Sequence, residues 1–176
     1  MLRVYLAGVG NSLEHHWQRL WFESDPNGLW LEHNSWTDIQ SDKWIAELAV
    51  LMEDHREPAV LVCHSLGCLL AVQYERARGM LYVRGALMVA VPDPKTAVFP
   101  PTVQGFRSGD EVATQLKCTV VASSNDPYAS LAYSQAVAKK WKAEFVDLGQ
   151  AGHINGESGL GSWRDGQRLL GALEKE

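Results

Sequence analysis

The sequence predicts an α/β domain with a mainly parallel six-stranded sheet covered by helices on both faces. Three observations point there. Short apolar runs alternate with longer segments of helical period. The runs are apolar on both sides of the strand, as buried parallel strands are. A chain of 176 residues is also the right size for one domain, burying roughly 70% of the surface its unfolded form exposes. Residues 1–176 are therefore read as a single unit.

Taken in order, the candidate strands are Leu2 to Ala7, Gly28 to Glu32, Ala59 to Cys63, Arg84 to Val91, Cys118 to Ser123 and Glu144 to Leu148. Between the first two, Leu13, Trp17, Leu20 and Trp21 recur at helical spacing behind Ser12, an expected N-cap. Ser41 similarly precedes the apolar face of Trp44, Ile45, Leu48, Leu51 and Met52, which ends near Pro58. Further helices are expected from about Leu66 to Arg78, Ser130 to Trp141 and Arg164 to Leu173. Residues 92–116, with Pro92, Pro94, Pro100 and Pro101, have little periodicity. Loops of that length are uncommon unless functional or mobile, so the stretch reads either as a small lid or as a surface excursion with a short helix near Gly109 to Leu116.

Composition excludes several function classes. The chain is 46% hydrophobic and 21% charged, as ordinary globular proteins are. A net charge of -5 offers no basic footprint for a phosphate backbone, so nucleic acid is not an expected partner. The six histidines are scattered and the three cysteines, Cys63, Cys68 and Cys118, include no C-x-x-C pair, which suggests neither a metal site nor a disulfide framework. No cofactor is implied. The opening apolar run is too brief for a signal-peptide core, and no stretch approaches the ~18 apolar residues of a membrane span. The expectation is a cytoplasmic protein that does not bind membranes.

The chemistry centres on Val60-Leu61-Val62-Cys63-His64-Ser65-Leu66-Gly67-Cys68, a strand entering a tight turn and then a helix, the setting of a nucleophile elbow. Positions two before and two after the serine must be small, and Cys63 and Gly67 are. A serine hydroxyl needs a base to remove its proton. His153, in the glycine-rich loop after the last strand, falls on the same sheet edge as Ser65. Read alone, it would be an ordinary polar loop residue. A carboxylate should fix its tautomer, and Asp126 follows the fifth strand in Ser124-Asn125-Asp126-Pro127, although such a segment by itself is simply turn chemistry. The order Ser65, Asp126, His153 is that of α/β-hydrolases. Asp93, after the fourth strand, is a rival acid. The N–H of Leu66 and that of Val9, in the Gly8-Val9-Gly10-Asn11 loop, are the candidate oxyanion donors.

Among the other histidines, His64 is expected to point away from Ser65, His33 and His55 read as surface or loop residues, and His15 and His16 stand beside the first glycine loop, where they could line a pocket. Trp17, Trp21 and Trp44 fit helix core positions, whereas Trp30, Trp36 and Trp163 have no place assigned by pattern alone.

With these residues in hand, the chain resembles the YdeN-like serine hydrolases related to retinoblastoma-binding protein nine. The resemblance is carried by Gly8-Val9-Gly10-Asn11-Ser12, His16-Trp17-Gln18, His64-Ser65-Leu66-Gly67, Ser124-Asn125-Asp126-Pro127-Tyr128 and Gly152-His153-Ile154-Asn155-Gly156-Glu157-Ser158-Gly159-Leu160-Gly161. It implies a compact α/β-hydrolase fold with little or no cap domain, a catalytic triad of Ser65, Asp126 and His153, and a small-molecule acyl substrate, with ester, thioester and activated amide all open. The L-x-C-x-E partner motif behind the vertebrate name does not extend here: Ser65, Leu70 and Val120 stand where its glutamate would be, so a protein partner is unknown. The rival class is a catalytically silent binding module on the same fold.

Overall fold

The computed structural model describes residues 1–175. Its elements, in chain order, are β1 (Leu2–Leu6), α1 (Trp17–Ser24), β2 (Gly28–Trp30), β3 (Ile39–Gln40), α2 (Ser41–His55), β4 (Ala59–His64), α3 (Leu66–Arg78), β5 (Val83–Val89), β6 (Val103–Gln104), β7 (Cys118–Ala122), α4 (Leu131–Trp141), β8 (Glu144–Asp147), a 3-10 turn (Gly156–Ser158) and α5 (Arg164–Glu174). Six strands form one parallel sheet in the order β2-β1-β4-β5-β7-β8. All six correspond to the apolar runs read from sequence, with ends differing by up to two residues. The protein has the α/β-hydrolase fold in a small, compact form.

Alternation along the strands builds two cores, because successive side chains leave opposite faces of a sheet. Val4, Leu6, Leu61, Met88 and Val120 face Trp44 and Leu48 of α2, Leu69 and Val72 of α3, and Val137 and Trp141 of α4. Tyr5, Val60, Val62, Leu87 and Val121 face Trp17 and Trp21 of α1 and Leu170 and Leu173 of α5. Trp163 completes the second core, stacking on Trp21 at 5.7 Å and meeting Trp17 edge-on at 5.0 Å. Trp30 joins this core from β2, and Trp36 packs edge-on against Trp44.

Several expectations are corrected. Helix α1 begins only at Trp17 and is capped by His16, whose side chain accepts from Gln18 N. Ser12 is instead buried, donating to Gln18 Oε1 at 2.8 Å. Ser41 is already inside α2, with Gln40 at the cap position. No helix forms near Gly109 to Leu116. Residues 92–116 contribute β6, which pairs in parallel with β3, and they are tied down by Tyr133 Oη donating to Pro92 O (2.9 Å), Trp141 Nε1 to Val112 O (2.8 Å) and Arg107 N to Gln73 Oε1 (2.7 Å). His33 is also no surface residue: its ring is buried, stacked at 3.6 Å on Trp44 and bonded to Glu47.

The chain leaves β1 for β2 on one side and returns to β4 on the other. The crevice at the carboxyl ends of β1 and β4 is therefore a topological switch point, where open parallel sheets bind ligands. Among the described residues, no helix is long and apolar enough to cross a membrane.

Candidate active site

Residue Ser65 sits between β4 and α3 with φ 52° and ψ -121°. That left-handed backbone is costly for a residue with a Cβ, on the order of 1–3 kcal/mol, and it is held by Ser65 N donating to Val89 O (2.9 Å) and by Cys68 N donating to Ser65 O (2.9 Å). Crowding makes the turn possible only with glycine two residues on: a Cβ at Gly67 would come 2.2 Å from Leu6 O. The neighbour that demands smallness is thus β1, not Cys63, which is itself fully buried. The first glycine loop closes in from the same side. A Cβ at Gly8 would lie 2.8 Å from Ser65 Cβ and 3.2 Å from its Oγ.

The second loop, after β8, brings His153 to the serine. Its Nε2 is 2.9 Å from Ser65 Oγ, and its Nδ1 is 2.9 Å from both carboxylate oxygens of Asp126. An acceptor-only carboxylate requires the proton on Nδ1, which leaves Nε2 to accept from the serine hydroxyl. The side chains of Asp126 and His153 are 3% and 11% exposed, so the pair is shielded from water yet reachable from the serine side. Asp126 Oδ1 also accepts from Tyr128 N at 2.9 Å, fixing the turn. Asp93 is engaged elsewhere, its Oδ1 accepting from Lys95 N and its N donating to Tyr128 O, both at 2.9 Å.

Neighbouring groups hold the histidine loop from below. Trp17 Nε1 donates to Ile154 O (2.8 Å), Gly152 N to Asn125 Oδ1 (2.7 Å) and Ser158 Oγ to Ala151 O (2.7 Å). His64 Nε2 donates to His153 O at 2.9 Å. His64 was expected to point away from the serine, yet it is among the residues lining the cavity over Ser65, and its part in holding the loop was not legible in the sequence. Burial, reinforced by His16 and His153, pushes its imidazole well below the usual histidine range, so it is a neutral donor. Gln18 Nε2 reaches across to Leu6 O (3.1 Å) and Val62 O (2.8 Å) at the carboxyl ends of β1 and β4. Each residue of His16-Trp17-Gln18 therefore touches the site's framework. The signal was present as a motif, but side-chain spacing alone gave it no role.

A cavity of about 220 Å³ opens over Ser65 and His153, lined by Pro92, Phe99, Pro100 and Tyr128 together with Val9, Asn11, His16 and Asn155. His15 lies in the adjoining groove, and His55 is on the surface. Among the described residues, the N–H groups of Val9 and Leu66 have no acceptor. No group of three or more His, Cys, Asp or Glu among them could hold a metal ion.

A YdeN-like hydrolase of Pectobacterium atrosepticum is 28% identical, superposes with a TM-score of 0.84 and is matched over 98% of this chain and 90% of its own. The ydeN gene product of Bacillus subtilis, 20% identical with a TM-score of 0.77, is matched over 100% of both chains. An esterase of Rhodococcus sp., RhEst1, shares the fold at 13% identity and a TM-score of 0.69, over 99% of this chain and 90% of that one. No curated protein matches the sequence. The serine hydrolase family profile covers residues 3–172, nearly the whole of the sheet and both loops that converge on Ser65, and the chain belongs to that family.

Proposed function

We propose that the protein hydrolyses a small carboxylic ester or related acyl substrate through an acyl-enzyme intermediate, with Ser65, His153 and Asp126 as its catalytic triad. The observation that carries this reading is the unbroken run of 2.9 Å contacts from Asp126 through His153 to Ser65 Oγ, built on a strained serine that the fold keeps strained. In the first half-reaction His153 Nε2 takes the Ser65 proton as Oγ attacks the acyl carbon, and Asp126 stabilises the imidazolium that results. The alkoxide oxygen is received by the N–H groups of Leu66, at the start of α3, and Val9. Collapse expels the alcohol, which takes the proton back from His153. Water then enters and gives a proton to the same Nε2 as its oxygen bonds to the acyl carbon; collapse breaks the bond to Ser65 Oγ, which takes that proton from His153 as the acid leaves.

A cavity this small, lined in part by Pro92, Phe99, Pro100 and Tyr128, suits a short acyl group. Three free, buried cysteines suit a reducing cytoplasmic setting, and one domain of 176 residues is sufficient for the reaction.

Treatment of the folded protein with a fluorophosphonate, followed by mass spectrometry, is expected to place one adduct on Ser65. Short p-nitrophenyl esters should be turned over, and Ser65→Ala should lose at least ~10³-fold in kcat while melting normally. An adduct on another serine would move the nucleophile there, and none on the folded protein would leave the binding-module reading in its place.

A further inference from the structure

The ring of Tyr128 has no place in the packing of the sheet. It belongs to neither hydrophobic core, is half-buried, and its hydroxyl has no hydrogen-bond partner among the described residues. The aromatic neighbour it does have is His153: the two ring centroids lie 4.5 Å apart, with the planes inclined by 53°. The backbone fixes this contact. Pro127, just before, has a locked φ. Tyr128 N donates to Asp126 Oδ1 and Tyr128 O accepts from Asp93 N, both at 2.9 Å, and Ala129 beyond is buried. The turn that aims the Asp126 carboxylate at His153 therefore also sets an aromatic ring against the same imidazole.

Few groups set the charge balance around that imidazole. Asp126, in the loop after β7, is bonded to its Nδ1 at 2.9 Å. His64, at the end of β4, has its ring 5.0 Å away, and His16, ahead of α1, is near enough to feel it electrostatically. Burial pushes both of these imidazoles below the usual histidine range, so near neutral pH neither carries charge. Tyr128 and His153 line the cavity over Ser65 together, and both also line a second cavity of about 500 Å³ that reaches Glu157 of the 3-10 turn, whose side chain is exposed. Neither lysine nor arginine lines either cavity. A proton passed from Ser65 to Nε2 thus creates a positive charge beside one shielded carboxylate and one aromatic ring.

An aromatic ring carries negative charge density on its face and attracts a cation within ~6 Å of its centroid. A neutral imidazole gains only ordinary packing from the same neighbour. Interactions raise kcat only where they are stronger in the transition state than in the ground state, and this one is of that kind. We propose that Tyr128 is a positioning residue for His153, its ring stabilising the imidazolium that forms as Ser65 attacks, while its hydroxyl takes no part. This role rests on Ser65, His153 and Asp126 acting as the triad.

Rings of equal shape and different charge separate this role from packing. Tyr128→Phe, and the same replacement made with 3,5-difluorophenylalanine and pentafluorophenylalanine, keep the outline of the ring while fluorine drains its face. Hydrolysis of p-nitrophenyl acetate is followed against pH, with kcat and the acid limb of kcat/KM as readouts because the ring also lines the cavity and can alter KM. Tyr128→Phe should stay within about 2-fold of wild type in kcat, and fluorination should then lower kcat by about 3- to 10-fold. The acid limb, which reports the essential base of the free enzyme, should move to lower pH by about half to one unit along the same series. Tyr128→Leu removes the ring and should move the limb the same way. Movement to higher pH, as expected of a ring that only keeps water from the charge, overturns the proposal. So does a fluorinated series without trend, or a loss in Tyr128→Phe as large as in Tyr128→Leu, which would assign the effect to the hydroxyl. Should Tyr128→Leu not fold, the fluorinated series decides alone. Turnover retained in Ser65→Ala overturns the triad and the role of Tyr128 with it, whereas a flat series in a Ser65-dependent enzyme overturns the role of Tyr128 only.

Discussion

At the scale of single residues, the candidate site separates what a side chain does from what surrounds it. Asp126 touches His153 with both oxygens, while Asp93 is spent on the turn at Lys95. Asp126→Asn should therefore lower kcat by up to ~10⁴-fold, because an amide there favours the wrong imidazole tautomer, and Asp93→Asn should change it by less than ~10-fold. Steady-state kinetics on both variants, with melting curves to show that each is folded, check this. A larger loss in Asp93→Asn would move the acid to the end of β5. Ser65, Asp126 and His153 were legible in the sequence because each belongs to a local pattern that places it at the carboxyl end of a strand. His64 was not, since what it does depends on a carbonyl 89 residues away, nor was His16, whose side chain caps α1.

At the scale of elements, two glycines show how strand, turn and helix constrain one another. An alanine at Gly67 would drive its Cβ into the Leu6 carbonyl, a backbone atom that cannot swing aside, so α3 would have to lift from β1. Gly67→Ala is expected to cost at least ~1–3 kcal/mol, read as a fall in melting temperature of several degrees. Gly8→Ala meets the Ser65 side chain instead. It should lower kcat by about 10²-fold, the scale of a displacement near 1 Å at a reacting group, with much less loss of stability. Thermal melts beside ester kinetics distinguish the two, and a Gly8→Ala variant with full activity would contradict the close packing of the loop on Ser65. The main strands and helices were readable from apolar periodicity, as were the ends of α3 and α4. The start of α1 was not: Ser12 has the right chemistry for a cap, but Gln18 claims its hydroxyl and the helix waits for His16. β3 and β6 were missed because two-residue strands carry no period of their own, and they pair only because residues 92–116 fold back over α2.

For the whole molecule, buried neutral histidines link folding to pH. In the unfolded chain His16 takes up a proton near pH ~6.5, but in the folded protein only near about 4. Between these values the unfolded state binds more protons, so stability is fully present above pH ~6.5 and is lost as the pH falls toward 4. His16 alone should cost about 2 kcal/mol between pH 7 and pH 5, and His64 and His33, whose burial pushes them down as well, act in the same direction. Urea titrations should show a lower midpoint at pH 5, with a smaller drop in His16→Ser, and an unchanged wild-type midpoint would contradict the buried neutral state. The sequence by itself determined the sheet, the order of its strands along the chain, and the three residues that meet at its edge, since periodicity and turn chemistry are local and a parallel sheet delivers every strand's following loop to one side. Tertiary structure alone decided that β1 and β4 flank the crevice, that Leu6 rather than Cys63 forces glycine at 67, that Pro92, Phe99 and Pro100 line the cavity, and that the ring of His16 caps α1. Those facts depend on distances between segments far apart in sequence, which are set by how two cores pack on a twisted sheet and leave no trace in the order of residues.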